Sequence, residues 1–242
     1  MSAPDSAPVR YRRVLLKLSG EALMGPQAFG VHPETIDRMA GEIAEAKALG
    51  VEVAIVIGGG NFWRGISTVG RKFERASSDT VGMLATVMNG LVFQDALERL
   101  GVETRLMTAL HMRQVAEPFI RRRALKHLER GHVVLFEAGT GHPYFSTDTA
   151  AALRALEVRA DAIVKGTKVD GVYTADPMTD PTAVRYDQVS YHEVLDKGLK
   201  VMDATAVALC MENHMPVHVL NARQPGNIVR LLKGETVGTL IS

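Results

Sequence analysis

Short apolar runs alternate with longer amphipathic ones along the chain. Residues 14–18 are Val and Leu interrupted only by Lys17, and they end in Ser19-Gly20, which predicts a strand followed by a turn. Residues 33–49 place Ile36, Met39, Ala40, Ile43 and Ala46 on one helical face, and Pro33 suits the first turn. Gly50 ends that helix, and residues 51–57 read as a buried strand. Residues 79–100 are apolar on nearly every side, so the helix predicted there is internal or lies at an interface. Further strands are predicted at 104–107, 132–136 and 162–165, and helices at 117–130 and 147–156.

After Gly166 the texture changes. Residues 167–181 contain Asp170-Gly171, Asp176-Pro177 and Asp180-Pro181, which are turn signals, and predict a β-hairpin with an irregular loop. Helices at 190–195, 203–212 and 226–233 and strands at 217–220 and 238–241 complete the pattern. Strands separated by helices imply a mainly parallel sheet covered on both faces, a three-layer α/β/α sandwich. No linker, repeat or low-complexity block divides the chain. The expected organisation is a loosely ordered tail at 1–10, rich in Ser, Ala and Pro, and one domain over 11–242. Ligands of such sheets bind beyond the carboxyl ends of the strands, so the chemistry is expected just after them.

Composition narrows the function classes. Lys and Arg number 28, Asp and Glu 27, and the net charge is +1. That balance gives no electrostatic case for a nucleic-acid or membrane-surface protein, although a few local charges can serve a small polyanion. The single cysteine, Cys210, sits in an apolar stretch and reads as a small core residue. No disulfide can form within the chain, which suits a reducing compartment. Arg12-Arg13 resembles the start of an export signal, but Lys17 interrupts the apolar run after three residues. No stretch reaches the roughly 18 apolar residues of a spanning helix. A cytoplasmic location is expected.

Three glycine-bearing segments follow three strands: Lys17-Leu18-Ser19-Gly20, Gly58-Gly59-Gly60-Asn61 leading to Trp63-Arg64, and Gly139-Thr140-Gly141 leading to Ser146-Thr147-Asp148. Glycine lets backbone N–H groups turn toward an anion, and a following helix N-terminus adds partial positive charge. Each loop alone reads equally as a tight turn; three at one sheet edge favour phosphate binding. No G-x-x-x-x-G-K-[ST] occurs, and Trp63 and Tyr144 stand where a third dinucleotide-loop glycine belongs. Lys17 and Lys165 each end an apolar strand, where an ammonium either meets an anion or snorkels to water. Asp148, on the third loop, could hold both. Paired lysines fixed by a carboxylate suit phosphoryl transfer, which needs positive charge on the moving group more than acid–base chemistry. The eight histidines are scattered, and Pro216 separates His214 from His218, so no protein metal cage is expected. Mg²⁺ is expected to arrive on nucleotide phosphates. Trp63 reads as core, and Tyr144-Phe145 as part of the site.

The segments 17–23, 56–61, 83–90, 139–151 and 168–177 together resemble the bacterial UMP kinases of the amino-acid kinase superfamily, from about Arg13 onward. The glycine motifs recur across the superfamily, while 83–90 and 140–148 are the segments specific to UMP kinases. The resemblance implies transfer of a phosphoryl group from ATP to UMP, in pyrimidine nucleotide synthesis. It implies that Lys17, Leu18, Ser19, Gly20, Gly60 and Arg64 contact the ATP phosphates, and that Thr167, Tyr173 and Asp176 hold the adenosine end. Gly59, Asp79, Thr140, Gly141, His142, Pro143, Tyr144, Phe145, Ser146 and Thr147 match the UMP site. His142 stands where many relatives carry Asn. Lys17, Lys165 and Asp148 match the catalytic lysines and their organising aspartate, with Arg64 and Asp203 near the phosphates.

The resemblance further implies a homohexamer built from dimers, inhibition by UTP and, in many relatives, activation by GTP. Arg105 matches a basic position of the GTP pocket, whereas Glu98, Arg121 and His132 depart from it. Two rival readings stand beside this one: a superfamily enzyme acting on an acidic amino acid or another small acceptor, and a uridine-nucleotide-binding regulator with little turnover.

Overall fold

The computed structural model describes residues 9–65, 72–175, 177 and 179–242. Its first half runs β1 (Arg13–Leu18), α1 (Pro33–Ala48), β2 (Glu52–Ile57), α2 (Arg75–Arg99), β3 (Thr104–Thr108), β4 (Glu117–Pro118), α3 (Arg121–Glu129) and β5 (Val133–Glu137). The second half runs α4 (Thr147–Glu157), β6 (Ala162–Thr167), β7 (Val172–Tyr173), β8 (Arg185–Tyr186), β9 (Gln188–Val189), α5 (Tyr191–Asp196), α6 (Ala204–Glu212), β10 (Val217–Asn221), α7 (Asn227–Leu232) and β11 (Thr239–Ile241). A short 3-10 turn, Gly20–Leu23, follows β1.

Among the described residues, nine strands form one sheet in the order β4-β3-β5-β2-β1-β6-β10-β11-β9. Among the described pairings of this sheet, only β10–β11 is antiparallel. The expected α/β/α sandwich follows from side-chain alternation. In β1, Val14, Leu16 and Leu18 face the α1, α2 and α7 layer, while Leu15 faces the layer of α3, α4 and α6. In β2, Val53, Ile55 and Ile57 face the first layer, and Ala54 and Val56 the second. Val9 packs against the first core, and the Arg10 N–H donates to Leu232 O at 2.9 Å. No helix among the described residues is long and apolar enough to cross a membrane.

Several boundaries depart from the sequence reading. Helix α3 does not begin at Glu117: residues Glu117–Pro118 pair with β3 as an edge strand. Proline disfavours the α region for the residue before it and lacks an N–H, which an edge strand tolerates. Helix α2 begins at Arg75 rather than Asp79. Residues near its start are bound by other segments: Trp63 Nε1 donates to Ser78 Oγ at 3.0 Å and Tyr144 N to Asp79 Oδ2 at 2.8 Å. Trp63 is accordingly half-buried, with its indole edge on Phe73, and not a core side chain. The hairpin pairs β7 with β8, so its return strand lies beyond Pro181.

Glu137 ends β5 and is out of keeping with the core around it. It is 1 % exposed, and neither carboxyl oxygen has a hydrogen bond of normal geometry. Burial pushes its carboxyl well above 4.5, and the nearby Thr86 hydroxyl and Ile57 backbone offset only part of this. Because the folded value is raised, ionisation favours the unfolded chain. The contribution of this group to stability is therefore greatest below the unfolded value of 4.5 and is lost as pH rises through the interval up to the folded one. Glu137→Met is expected to stabilise the fold at neutral pH by about 1–3 kcal/mol, read as a rise of several degrees in Tm. It should also flatten the decline of Tm with pH. Calorimetric melts of both proteins across mildly acidic to neutral pH test this, and a lower Tm for the variant would refute it.

Candidate active site

Period-two alternation fixes where the two strand-end lysines point. Lys17 lies two residues after Leu15, and Lys165 two after Ile163, so both face the layer that contains α4. β1 and β6 are neighbours, and Lys17 sits directly opposite Lys165 in the register. Asp148, in the first turn of α4, enters between them. Its Oδ1 is 2.8 Å from Lys17 Nζ, and its Oδ2 is 2.7 Å from Lys165 Nζ. All three side chains are at most 15 % exposed. Ser146 caps this helix, its Oγ accepting from the N–H groups of Asp148 and Thr149 at 3.0 and 3.1 Å. The carboxylate thus also lies at the positive end of the helix dipole.

Burial raises the Asp148 carboxyl, but the two lysine charges outweigh it and hold the group below the usual carboxylate range. Burial together with the Lys17 charge lowers the Lys165 ammonium, against the pull of Asp148. Lys165 also donates to the carbonyl of Val201. Asp203 caps α6 by accepting from Ala206 N at 3.1 Å, accepts from Thr149 Oγ1 at 2.9 Å, and takes the Ser146 hydroxyl proton donor as well. It therefore sits beside the lysine pair with its oxygens engaged.

The glycine segments after β1 and β2 flank this centre. Among the described residues, the N–H groups of Ser19, Gly20, Gly59 and Gly60 have no protein acceptor. Both loops require glycine for close approach. A Cβ on Gly20 would lie 2.3 Å from Gly58 O, and one on Gly59 would lie 2.7 Å from Gly82 O. Arg64 reaches the same edge and is ion-paired with Glu21.

On one side opens a cleft of about 810 Å³. Lys17, Ser19, Arg64, Lys165, Thr167 and Tyr173 line it, so it gathers much of the set matched to ATP. Lys168, Lys197, Lys200 and Arg223 add positive charge at its walls. Thr167 Oγ1 is turned to Val169, donating to its carbonyl at 2.7 Å, and Tyr173 OH donates to Asp170 at 2.5 Å. The 197–201 segment and Arg223 carry no motif, and only the neighbouring Asp203 hinted at their place. Asp176 lies outside the described residues.

On the other side the third loop runs from β5 to α4. It departs and returns through two non-glycine residues in the left-handed region, Ala138 at φ 62° and Tyr144 at φ 72°. Such strain gathers where surroundings over-determine the backbone. Helix α2 does so here: Ala138 N donates to Thr86 Oγ1 and Tyr144 N to Asp79 Oδ2, both at 2.8 Å. Between these points Thr140 closes a small turn on His142. Tyr144 and Phe145 are 67 % and 51 % exposed. Arg105 is elsewhere, near the start of β3 and hence at the opposite end of the sheet.

The amino acid kinase family model matches residues 12–221. A UMP kinase from Bacillus anthracis is 39 % identical and superimposes with a TM-score of 0.93, covering 96 % of both chains. A UMP kinase from Ureaplasma parvum is 36 % identical with a TM-score of 0.90, covering 96 % of this chain and 99 % of that one. A uridylate kinase from Archaeoglobus fulgidus is 29 % identical with a TM-score of 0.73, covering 95 % of this chain and 99 % of that one.

Proposed function

This chain belongs to the amino acid kinase family, among its UMP kinases, and from that premise we propose that it transfers the γ-phosphoryl group of ATP to UMP. The observation that carries the reading is the Lys17–Asp148–Lys165 arrangement at the mouth of a basic cleft. An oxygen of the UMP phosphate attacks the γ-phosphorus, the new O–P bond forms, and the bond to the β-phosphate oxygen breaks with its electron pair leaving on ADP. Phosphate oxygen is already an adequate nucleophile, so no general base is required. Lys17 and Lys165 offset charge on the moving group and its bridging oxygens, and Asp148 keeps both ammonium groups aimed at it. Arg64 joins them once phosphate draws it from Glu21. Ser19, Gly20 and Gly60 offer amides to ATP phosphates, and Gly59 and the 140–147 loop face the acceptor.

The carboxylates fit a metal that travels with the nucleotide. Asp148 is occupied by two lysines and Asp203 by three hydrogen-bond donors, so phosphate and water oxygens would supply most ligands of Mg²⁺. When bound, that ion neutralises charge on the β- and γ-phosphates. The test is ADP release from ATP with UMP, aspartate or N-acetylglutamate as acceptor. Release with either amino acid but not with UMP would overturn the reading, and UMP binding without turnover would favour a regulator. We place the reaction in the cytoplasm, its UDP product feeding pyrimidine nucleotide synthesis.

Assembly and regulation follow from the same premise. Val81, Leu84, Met88, Leu91 and Val92 form a stripe along α2, each 36–49 % exposed. A stripe of this kind marks a contact surface. We expect a homohexamer built from dimers through this face, and a single-chain mass by light scattering at micromolar concentration would refute it. UTP shares uracil, ribose and α-phosphate with UMP, and its remaining phosphates can extend toward the donor cleft, so UTP is expected to compete. GTP is expected to act weakly. Burial and the Arg105 charge lower the His132 pKa, Arg121 is engaged in donating to Glu157 O at 2.6 Å, and a carboxylate at Glu98 would repel a triphosphate. Initial rates at fixed Mg·ATP with either nucleotide varied test this, and insensitivity to millimolar UTP would refute the first half.

A further inference from the structure

Helix α2 turns a carboxamide toward the sheet that none of the chemistry above uses. Asn89 is fully buried, and it faces Asn61, which is 2 % exposed. The two amides bond reciprocally: Asn61 Nδ2 donates to Asn89 Oδ1 at 2.8 Å, and Asn89 Nδ2 donates to Asn61 Oδ1 at 2.7 Å. Each –NH₂ has one hydrogen left. Asn89 gives it to Gly58 O at 2.7 Å, and Asn61 gives it to Gly30 O at 2.9 Å. All four amide hydrogens are then in use. A buried polar pair is costly unless fully satisfied, and when satisfied it fixes one arrangement of what it touches.

What it touches is the phosphate-facing backbone. Gly58 C=O and Gly59 N–H belong to one planar trans peptide, in which the two groups point in opposite directions. With the oxygen held on Asn89, the Gly59 N–H points the other way, and among the described residues it has no acceptor. The loop after β1 rests on the same pair, because a Cβ on Gly20 would lie 2.4 Å from Asn61 Oδ1 as well as against Gly58 O. Gly30 N in turn donates to Asn61 O at 3.0 Å, tying in the segment before α1. One amide pair therefore sets the mutual placement of the loops after β1 and β2.

We propose that Asn61 and Asn89 are positioning residues for phosphoryl transfer: their reciprocal pair orients the Gly58–Gly59 peptide and locks it against the Ser19–Gly20 turn, so that the free amides of both loops converge on the phosphates. The proposal rests on the kinase reading above. It is separate from the lysine centre, which lies on the other face of the sheet. Only a side chain that both donates and accepts serves at either position. An aspartate has the shape but not the donors, and leucine would leave Gly58 O and Gly30 O unpaired.

Asn89→Asp tests this. At neutral pH its carboxylate would face two acceptors, Gly58 O and Asn61 Oδ1. Misplacing reacting groups by about 1 Å can cost roughly 10²-fold, so kcat/KM is expected to fall by about that factor at pH 7.5. Burial between these two acceptors raises the introduced carboxyl, and its protonation restores one donor, so the ratio of variant to wild-type activity should rise as pH falls. Both are measured at a temperature where circular dichroism shows the variant fully folded, so lost stability alone does not move them. Asn89→Ser retains a hydroxyl donor and provides the same comparison if the aspartate fails to fold, with a smaller loss expected. Calorimetric binding of ATP gives a readout independent of turnover, and at least a ten-fold weaker Kd is expected for either variant. A folded variant with wild-type kcat/KM, pH profile and ATP affinity overturns the proposal. Absence of UMP phosphorylation by the wild-type protein, measured alongside, would instead count against the kinase reading.

Discussion

Replacing Lys17 with alanine is expected to lower kcat about 10²–10³-fold, the cost of losing one preorganised charge contact to the transition state. UMP affinity should change little, because Lys17 faces the donor cleft. The variant is expected to fold. Asp148 retains Lys165 at 2.7 Å, so no uncompensated charge is left buried, which is the outcome that makes broken ion pairs so destabilising. A second signature follows from the charge balance. The Lys17 ammonium is one of the groups that lowers the Lys165 pKa. Removing it lets that pKa move up, so the alkaline limb of the residual activity should shift to higher pH. Steady-state rates, calorimetric UMP binding and a pH–rate profile test the three parts, and near-normal turnover would remove Lys17 from the mechanism.

That centre was legible because its signals are local. A lysine at the end of an apolar strand is conspicuous, and period-two alternation places both lysines on one face once β1 and β6 pair. The parallel sandwich was legible for the same reason, since each strand and helix declares its own period. What stayed hidden depends on distant partners. Glu117 carries helix-like charge, yet Pro118 and the open edge of β3 draw it into a strand. Ser78 carries no signal of its use until Trp63 reaches it from another loop. The wall of the cleft at 197–201 carries no pattern, and its place shows only once the fold sets Lys197 and Lys200 along the cleft and Val201 O against Lys165. Asn89 looks like one polar residue in an apolar helix. Its use appears only when the fold sets it against Asn61 and Gly58, more than twenty residues earlier.

Discrimination against CMP should be the largest effect of all, about 10⁴–10⁵ in kcat/KM in favour of UMP. The two acceptors are nearly identical in size, so an apolar pocket would separate them poorly. They differ in hydrogen-bonding sense along one edge. Uracil presents a carbonyl and a ring N–H where cytosine presents an amino group and a bare ring nitrogen. A site that reads this edge with fixed groups meets CMP donor to donor and acceptor to acceptor, leaving buried partners unpaired on both sides. The discrimination is lost if the reading groups can rotate to suit either base. On the proposed reading of the loop after β5 as the acceptor site, its backbone resists such rotation. Its strained residues Ala138 and Tyr144 are anchored by Thr86 and Asp79 of one rigid helix, and Gly141 N donates back to Ala138 O at 3.0 Å. Backbone groups held in this way cannot exchange a donor for an acceptor. Competing the two acceptors at equal concentration with limiting Mg·ATP, and separating UDP from CDP, measures the ratio directly. Comparable yields of the two diphosphates would sink the assignment of UMP as the acceptor, even with the lysine centre fully active.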